Sequence, residues 1–306
     1  MLLTVAICTR NRAATIRRAL AALGECASPS AATWELVVVD NGSSDDTPNV
    51  LREFERTLPL RVISETATGL ARARNAAVRS ARGDYLVWTD DDCLVDRQWL
   101  VAYARAFEQW PTAAVFGGPI VPRFEGDPPS WLTPIARRVE TAYAGRDLGR
   151  EPIALSLERN RVPFGANYAI RADVQRARPY DTALGRGAAI ALGEETEVLQ
   201  AVLRDGGEGR WVPSAAVTHC IPPNRQRVAY LRQYYAANGA HLEWRRLVDS
   251  RDGSALHLLA RAVQDEMRYQ LLRRYRRPEV WIDPMIAASV GWGRLRARWT
   301  LARGGA

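Results

Sequence analysis

Residues Asp84–Asp92 read DYLVWTDDD, an apolar run that ends in three consecutive aspartates. A short apolar run of this kind is typical of a strand that is buried on both faces of a sheet. Similar runs occur upstream at Leu2–Thr9 (LLTVAICT), Trp34–Asp40 (WELVVVD) and Leu60–Ser64. Segments with helical spacing lie between the runs, and this alternation predicts a mostly parallel sheet with helices on both faces.

Helices are expected where apolar residues recur every three or four positions. In the first half this spacing predicts helices at Ala13–Leu23, from Thr47-Pro48 onward, at Gly69–Arg82 and at Gln98–Trp110, with a fifth strand from Ala113–Phe116. The second half is less regular. It predicts a helix at Leu132–Ala144, a strand at Gly165–Arg171, a helix at Glu194–Arg204 and a strand at Trp211–Cys220. From Asn224 onward the pattern is helical, with breaks at Asp252-Gly253 and Pro278.

Composition indicates a globular protein, because 47% of the 306 residues are hydrophobic and 25% are charged. These proportions exclude a disordered chain, a collagen-like repeat and a coiled coil. The four cysteines are scattered, which excludes a zinc ribbon and predicts free thiols in a reducing compartment: Cys8, Cys26, Cys93 and Cys220. We expect neither a signal peptide nor a membrane-spanning helix.

The three aspartates at Asp90–Asp92 need a physical explanation. Adjacent carboxylates repel one another, and burying them is costly, so they do not stabilise the end of a strand. A divalent cation such as Mg²⁺ or Mn²⁺ removes both penalties. For the triplet taken alone, an exposed acidic turn before the next helix is an equally good interpretation. In open α/β sheets, however, ligands bind beyond the carboxyl ends of the strands, where these aspartates are predicted to lie.

Four segments taken together resemble family 2 of the nucleotide-sugar glycosyltransferases, which have the GT-A fold. They are Cys8–Arg12 (CTRNR), Val37–Thr47 (VVVDNGSSDDT), Gly69–Cys93 (GLARARNAAVRSARGDYLVWTDDDC) and Gly193–Gly207 (GEETEVLQAVLRDGG). The resemblance extends from about Leu2 to Gly239. It implies a GT-A domain at residues 1–250, with a nucleotide-sugar-binding half at 1–124 and an acceptor and catalytic half at 125–250. Residues 251–306 would then form a basic, amphipathic helical tail.

The resemblance also implies residues that bind the donor and the metal. Residues at the strand ends and on the third helix would bind the nucleoside-diphosphate sugar, with a UDP-sugar favoured: Thr9, Arg10, Asn11, Arg12, Asp40, Asn41, Arg72, Arg74, Asn75, Asp90 and Asp91. Asp92 matches the direct ligand of Mn²⁺ or Mg²⁺, and His219 matches a histidine that completes the metal site in related enzymes. Asp90 or Asp91 would hold the ribose or a metal-bound water, and the sequence does not decide between them. For Arg72 and Arg74, solvation on a helix surface is the alternative.

A catalytic base is implied in the segment Glu194–Glu197 (EETE). It resembles the family's Glu-Asp-Thr-Glu segment, whose second acid is the base of inverting transfer, which here is Glu195. Glu194 is the alternative. The acceptor would be a glycan, a lipid-linked or a small-molecule hydroxyl compound, and the resemblance and the residue types suggest four residues near it: Gly117, Gly118, Trp131 and Asn167.

Several other classes are excluded by missing motifs. The segment after the first strand lacks the G-x-G-x-x-G turn of a dinucleotide-binding enzyme, the sequence has no phosphate-binding P-loop, and a nucleic-acid-binding role is not indicated. A catalytically silent relative that binds sugar nucleotides is the remaining alternative to a glycosyltransferase.

The basic tail predicts a second partner. The formal net charge is +8, and residues 251–306 hold 11 Arg against five Asp or Glu. Its arginines lie among apolar residues such as Leu271, Trp281, Met285, Trp292 and Trp299. This pattern suggests a cytoplasmic protein that rests peripherally on the anionic inner face of a membrane. Packing of the tail on the catalytic domain or on a second subunit is the alternative.

Overall fold

The structure is a computed structural model that describes residues 1–248, 255–275 and 277–304, with side chains described as far as Leu301. Its contacts divide the chain into two compact units. The first, here called the sheet unit, consists of Met1–Arg123, Ala144–Thr182 and Glu194–Cys220. The second, here called the helical unit, consists of Phe124–Tyr143, Ala183–Gly193 and Ile221–Ala306.

Two sheets are formed by the strands β1 Leu2–Thr9, β2 Thr33–Asp40, β3 Leu60–Ser64, β4 Tyr85–Thr89, β5 Cys93–Val95, β6 Val115–Gly117, β7 Ile120–Phe124, β8 Asn167–Arg171, β9 Gly209–Trp211 and β10 Val217–Ile221. The larger sheet has the order β3-β2-β1-β4-β8-β6-β9. Its first four strands run parallel, and β9 is parallel to β6. Only β8 runs against its neighbours β4 and β6. The predicted mostly parallel sheet is therefore confirmed.

Helices cover both faces of this sheet, as the sequence predicts. In the sheet unit they are α1 Ala13–Gly24, α2 Thr47–Phe54, α3 Leu70–Ser80, α4 Trp99–Gln109, α5 Ala172–Arg176 and α6 Glu194–Arg204. Successive side chains of β1 point to opposite faces, because a strand alternates with a period of two. Val5 thus joins the core that includes Leu20 of α1, whereas Ala6 joins the core that includes Ala73 of α3.

The smaller sheet has the order β5-β10-β7, and it corrects one predicted element. The sequence predicts one strand at Trp211–Cys220, but the chain leaves β9 after Trp211 and enters β10 at Val217. Pro213 lies between them and has no backbone N–H to donate to a sheet. The Ala215 N–H instead donates to the Val212 carbonyl in a turn. The new strand pairs antiparallel with β5, which sets His219 opposite Cys93.

Within the described residues, the helical unit contains three long helices, α7 Val228–Val248, α8 Ala255–Leu272 and α9 Pro278–Gly304. Short 3-10 helices occur at Thr133–Tyr143, where an α-helix is predicted at Leu132–Ala144, and at Pro223–Arg225. Glycines let α7 and α9 cross closely, since a Cβ atom at Gly293 would collide with the Ala236 carbonyl.

The division into two units does not coincide with the predicted boundary at residue 250, because α7 belongs with α9 in the helical unit. The predicted break at Asp252-Gly253 lies outside the described residues.

Several apolar residues of the tail form the core of the helical unit. Trp281, Ile282 and Met285 of α9 are buried, together with Leu231 of α7 and Tyr269 of α8. These α9 side chains are therefore not available to a membrane surface, because they pack inside the protein. Across the described part of the chain, no helix is both long enough and apolar enough to cross a membrane.

Candidate active site

The carboxyl ends of the parallel strands bring the predicted polar residues together. Thr9 ends β1, and the aspartates Asp90–Asp92 follow β4, its neighbour in the sheet. The Thr9 hydroxyl donates a hydrogen bond to Asp91 Oδ2 over 2.7 Å, and both side chains are buried. A shared sheet edge is thus what joins two segments that lie far apart in the sequence.

His219 reaches the same aspartates from the smaller sheet. Its Nε2 atom lies 3.3 Å from Asp92 Oδ1, and both side chains are almost fully buried. The pairing of β10 with β5 fixes this geometry, and the Cys220 N–H donates to the Asp92 carbonyl over 2.9 Å. The structure therefore brings together the histidine and the aspartate that the sequence proposes as metal ligands.

Arg12 supplies positive charge beside the aspartates. Its Nη1 atom lies 3.3 Å from Asp92 Oδ2 and 3.9 Å from Asp91 Oδ1. Burial nevertheless raises the pKa of Asp91 to about 7, and the charge of Asp92 adds to this, while Arg12 and the Thr9 hydroxyl act in the opposite direction. One arginine thus does not offset the clustered negative charge.

The donor groups here suit a hard divalent cation. Carboxylate oxygens are the ligands that Mg²⁺ and Mn²⁺ prefer, and an imidazole nitrogen is acceptable to Mn²⁺. Asp90, Asp92 and His219 would supply such donors, and the insufficient positive charge around Asp91 favours an added cation. Throughout residues 1–248, 255–275 and 277–304, no three His, Cys, Asp or Glu side chains are arranged as a metal site. The types of donor atom therefore suit a divalent metal ion, but the described side chains are not already arranged around one.

Arg74 connects the aspartates to the predicted base segment. Its side chain is only 4% exposed, with Nη2 3.7 Å from Asp90 Oδ1 and Nε 3.8 Å from Glu194 Oε1. The guanidinium lies over the rings of Trp88 and Tyr180, 5.6 Å from each centroid. Burial alone would lower the pKa of Arg74, but interactions with Tyr168, then Glu194, Glu195 and Tyr180, raise it well above its usual value. Its Nη1 atom is buried and has no hydrogen-bond partner among the described residues. Arg74 is therefore a buried cation, not a solvated surface arginine.

Trp88 and Tyr180 are parts of this site that the sequence did not indicate. Tyr180 lies in an irregular segment, and Asn75 holds it there: the Asn75 amide donates to the Tyr180 carbonyl and accepts from the Tyr180 N–H, each over 2.9 Å. No local pattern signals such a contact. Asn75, a predicted donor-binding residue, is thus engaged within the protein.

The two candidate bases differ in their surroundings. Glu194 is 4% exposed, and burial, followed by the charge of Glu195, raises its pKa to about 8, while Arg74 opposes the shift. Glu195 is only half-buried. Its carboxylate passes over Gly165, where an added Cβ atom would lie 2.8 Å from Glu195 Oε1. The accessible carboxylate of the pair is therefore that of Glu195.

Three predicted donor-binding residues shape the loops after β1 and β2. Asn11 adopts a left-handed conformation (φ 51°), and its Oδ1 atom accepts from the Ser44 N–H over 2.7 Å. Asp40 accepts from the Ser43 N–H over 3.0 Å. The Asn41 amide donates to the Glu65 and Ala67 carbonyls and accepts from the Gly69 N–H, all over 2.9 Å. The Asn41 side chain is therefore used to hold the loop before α3.

Two further predicted donor-binding residues, Arg10 and Arg72, have exposed side chains.

The four residues suggested near the acceptor have other contacts. Asn167 is fully buried: its Oδ1 atom accepts from Trp99 Nε1 and Tyr103 Oη, and its Nδ2 atom donates to two backbone carbonyls. Its hydrogen-bonding capacity is filled inside the protein, so we do not assign it to the acceptor.

The glycines and the tryptophan also serve packing. A Cβ atom at Gly117 would collide with Pro163, and one at Gly118 would collide with the Ala215 carbonyl. Their small size is therefore explained by close packing. Trp131 packs against Trp281 in the core of the helical unit, with ring centroids 5.9 Å apart.

A family model now accounts for this arrangement. The model described as "Glycosyl transferase family 2" matches residues 4–168, which is more than half of the chain. The chain belongs to glycosyl transferase family 2. The resemblance that the strand-end motifs indicated is thereby confirmed.

Individual relatives of this family 2 chain agree. It is 25% identical to the succinoglycan biosynthesis protein ExoM of Rhizobium meliloti over 240 residues, which cover 74% of this chain and 69% of ExoM. With a Bacillus subtilis glycosyltransferase it is 37% identical, but the match spans only 22% of that protein's length. The family domain is therefore shared, while the lengths of the whole proteins differ.

Solved structures share the fold of the family 2 chain. The mannosyltransferase PcManGT from Pyrobaculum calidifontis, in complex with GDP-Man and Mn²⁺, is similar with a TM-score of 0.57 and 20% identity, over 99% of this chain and 74% of that one. S. aureus TarS 1–349 in complex with UDP is similar with a TM-score of 0.55 and 13% identity, over 99% and 92%. The predicted GT-A fold is thus confirmed.

Proposed function

We propose that this protein is a metal-dependent, inverting glycosyltransferase that moves a sugar from a nucleoside-diphosphate sugar to an acceptor hydroxyl. One observation carries the proposal: the buried Arg74 lies between Asp90, beside the expected donor site, and Glu194, next to the expected base. These contacts support a site in which donor binding and proton removal would occur around one buried cation. Family membership supports the same activity.

The donor is expected to bind at the strand ends of the sheet unit. Asp40 would accept a hydrogen bond from the nucleotide base, while Thr9, Arg10 and Arg12 would lie beside the nucleotide. We favour a UDP-sugar, supported by the complex of TarS with UDP. The GDP-Man complex of PcManGT makes a GDP-sugar the donor to test beside it.

Asp92, Asp90 and His219 would hold a divalent cation. When bound, Mn²⁺ or Mg²⁺ neutralises negative charge on the departing diphosphate. The Mn²⁺ in the PcManGT complex supports this choice of metal. Arg12 and Arg74 lie beside the same carboxylates, where their guanidinium groups would donate hydrogen bonds to the departing diphosphate.

Glu195 would act as the general base. Its half-buried carboxylate removes the proton from the acceptor hydroxyl, and the oxygen attacks the anomeric carbon from the face opposite the diphosphate. The bond from that carbon to the diphosphate oxygen breaks, and the nucleoside diphosphate leaves with the electron pair. The configuration at the anomeric carbon is therefore inverted. Glu194 is 4% exposed, so its carboxylate is less accessible to an acceptor than that of Glu195.

The acceptor is expected to be a glycan, a lipid-linked or a small-molecule hydroxyl compound. We also propose that the protein works in the cytoplasm and attaches peripherally to an anionic membrane surface. The four free cysteines support a reducing compartment. The basic excess of the helical tail supports attachment to anionic lipid.

Release of nucleoside diphosphate from UDP- and GDP-sugars tests the function. We expect release, faster with an acceptor, in Mn²⁺ but not after chelation, and loss of that release in Asp92→Ala. Donor binding, measured by thermal shift, should stabilise the protein by about 2.7 kcal/mol at a hundred times the Kd. Metal-independent binding without turnover for any acceptor would indicate a catalytically silent relative and overturn the proposal.

A further inference from the structure

The helical unit contains a cavity of about 780 Å³ between α7, α8 and α9, whose charged lining is mostly basic. Two acids, Asp265 and Asp283, line it together with five arginines: Arg246, Arg261, Arg268, Arg294 and Arg298. Asp283 also lies 3.8 Å from Arg138, so part of its charge is already matched. The excess of guanidinium groups favours an anionic occupant.

A single buried carboxylate accounts for three of these arginines. Glu243 of α7 is fully buried and pairs with Arg246 and Arg294 over 2.8 Å each, and with Arg298. One carboxylate neutralises only one of three guanidinium groups. Each guanidinium also has five N–H donors in a fixed plane, more than two carboxylate oxygens accept. The cluster therefore keeps positive charge and hydrogen-bond donors on the cavity wall.

The other two arginines of the cavity are freer. Arg261 and Arg268 lie on α8 with exposed side chains, and neither forms an ion pair with a residue in the described ranges. They are separated by seven residues, which is about two helical turns, so both side chains point toward the same side of α8. Planar guanidinium groups of this kind bind phosphate oxygens in pairs of hydrogen bonds. The cavity thus has the chemistry of a phosphate site.

The outer face of α8 adds an independent observation. Five apolar side chains recur there at intervals of three or four residues, which places them along one side of the helix. Their exposed fractions are large: Leu256 79%, Leu259 41%, Val263 40%, Met267 69% and Leu271 59%. By contrast, Ala262 and Tyr269 of the same helix are buried. An apolar stripe of this length left in water indicates a binding surface.

The charges beside the stripe indicate what covers it. Among the described charged side chains of α8 and the turn after it, the exposed ones are all arginines: Arg261, Arg268, Arg273 and Arg274. The two acids are less exposed, and Glu266 is paired with Arg232 over 2.7 Å. A symmetric contact with a second copy would bring like rows of arginine together, which is unfavourable. An anionic leaflet offers both an apolar layer and phosphate groups.

We infer that the helical unit binds the phosphate of an anionic phospholipid headgroup in the arginine-lined cavity, while the apolar stripe of α8 enters the headgroup–acyl boundary. This inference rests on the membrane attachment proposed above, but not on the catalytic roles of the sheet unit. It assigns the contact to α8, whereas the apolar residues Trp281, Ile282 and Met285 of α9 are buried in the core.

Sedimentation with vesicles tests this with the full chain. The vesicles contain phosphatidylcholine alone or mixed with phosphatidylglycerol. Binding should require phosphatidylglycerol, decrease in high salt, and fall about tenfold or more in the double variant Arg261→Gln/Arg268→Gln. Leu256→Gln/Met267→Gln should lose binding to a similar extent. Arg105→Gln and Val121→Gln, which change an exposed arginine and an exposed apolar residue of the sheet unit, are the matched controls and should bind as the parent does.

Three results would overturn the inference. The first is equal binding to both kinds of vesicle, and the second is anionic binding that the arginine pair does not affect. The third is stabilisation by inorganic phosphate that depends on the two arginines without any vesicle binding, which would make the ligand a soluble phosphate. Nucleoside-diphosphate release without vesicles is measured on the same variants: its retention shows that they fold, and its absence in the parent would count against the proposed function alone.

Discussion

His219 Nε2 lies 3.3 Å from Asp92 Oδ1, although the two residues are far apart in the sequence. The antiparallel pairing of β10 with β5 brings them together at a buried position. An imidazole nitrogen and a carboxylate oxygen at this distance are close enough to bind one cation after a small shift. The relationship links the smaller sheet to the chemistry at the edge of the larger one.

Replacing His219 should weaken metal-dependent binding. In His219→Gln we expect nucleoside-diphosphate affinity in Mn²⁺ to fall by about 10- to 100-fold, the loss typical when a supporting group of a metal site is removed. Titration calorimetry with and without Mn²⁺ measures it. His257→Gln, at an exposed position of α8, is the control and should bind as the parent does. Unchanged Mn²⁺ dependence in His219→Gln would exclude this histidine from the metal site.

Glu195 and Glu194 should respond differently to the same substitution. Glu195→Gln keeps the shape of the side chain but cannot accept a proton, so kcat should fall by about 10²–10⁴ while donor binding remains. Glu194→Gln should cost less, because Glu194 is buried and its pKa is raised to about 8. Steady-state kinetics with a titrated donor compares them. A larger loss of kcat in Glu194→Gln would transfer the role of base to Glu194.

Gly165 should be required for the position of the base. In Gly165→Ala the new Cβ atom would lie 2.8 Å from Glu195 Oε1, so the carboxylate must move. We expect kcat to fall about tenfold or more, with little change in donor affinity, because small displacements of a catalytic group are costly. Gly24→Ala is the control, since its nearest neighbour would be 3.7 Å away. Wild-type kcat in Gly165→Ala would show that Glu195 is not fixed by this contact.

Glu194 should make stability depend on pH. Its pKa rises from 4.5 to about 8 on folding, so the native state holds a proton that the unfolded chain releases between these values. The contribution of this proton to the free energy of unfolding is complete below pH 4.5 and is lost as the pH rises through about 8. Glu194→Gln should therefore lose less free energy of unfolding than the parent between about pH 5 and about pH 8, by at least about 1 kcal/mol.

Denaturant unfolding at a series of pH values measures this difference. Glu53→Gln, which changes an exposed glutamate paired with Arg17, is the comparison and should leave the slope in this range unaltered. Parallel pH profiles for the parent and Glu194→Gln would contradict the assignment.

Glu243 should be important for the stability of the helical unit. In Glu243→Gln three arginines lose their shared buried anion, and breaking a buried ion pair from one side typically costs about 3–5 kcal/mol. Glu266→Gln removes the partner of Arg232 at a more exposed position and should cost about 0–1 kcal/mol. Chemical denaturation compares the two variants. Similar small losses in both would show that the three arginines have other compensation.

The sequence predicts much of the fold because its signals are local. The bounds of β1 and β3 follow directly from apolar runs with polar neighbours, and α6 begins at Glu194 as the acidic first turn indicates. The side on which the site lies is also predictable, since the carboxyl ends of parallel strands share one edge of the sheet. Thr9 and the aspartates were therefore expected together.

One element was predicted wrongly, and the contacts of one residue were not foreseen, because both depend on distant segments of the chain. The predicted strand at Trp211–Cys220 is two strands in different sheets, because each half finds a different partner. Asn167 resembles a functional residue in the sequence, yet its amide is saturated by Trp99, Tyr103 and two backbone carbonyls. The sequence pattern of a strand does not indicate which other strand will pair with it.

The sequence by itself determined the alternation of strands and helices from β1 to β4, the family and the carboxylates at the strand ends, because residue type and short-range spacing are enough for these. Tertiary structure alone decided which carboxylates are buried and which cations face them. Arg74, for which solvation on a helix surface was the alternative to donor binding, is enclosed by Trp88 and Tyr180 between Asp90 and Glu194. The physical reason is that solvation and Coulomb energy depend on distance in space, and the sequence specifies only distance along the chain.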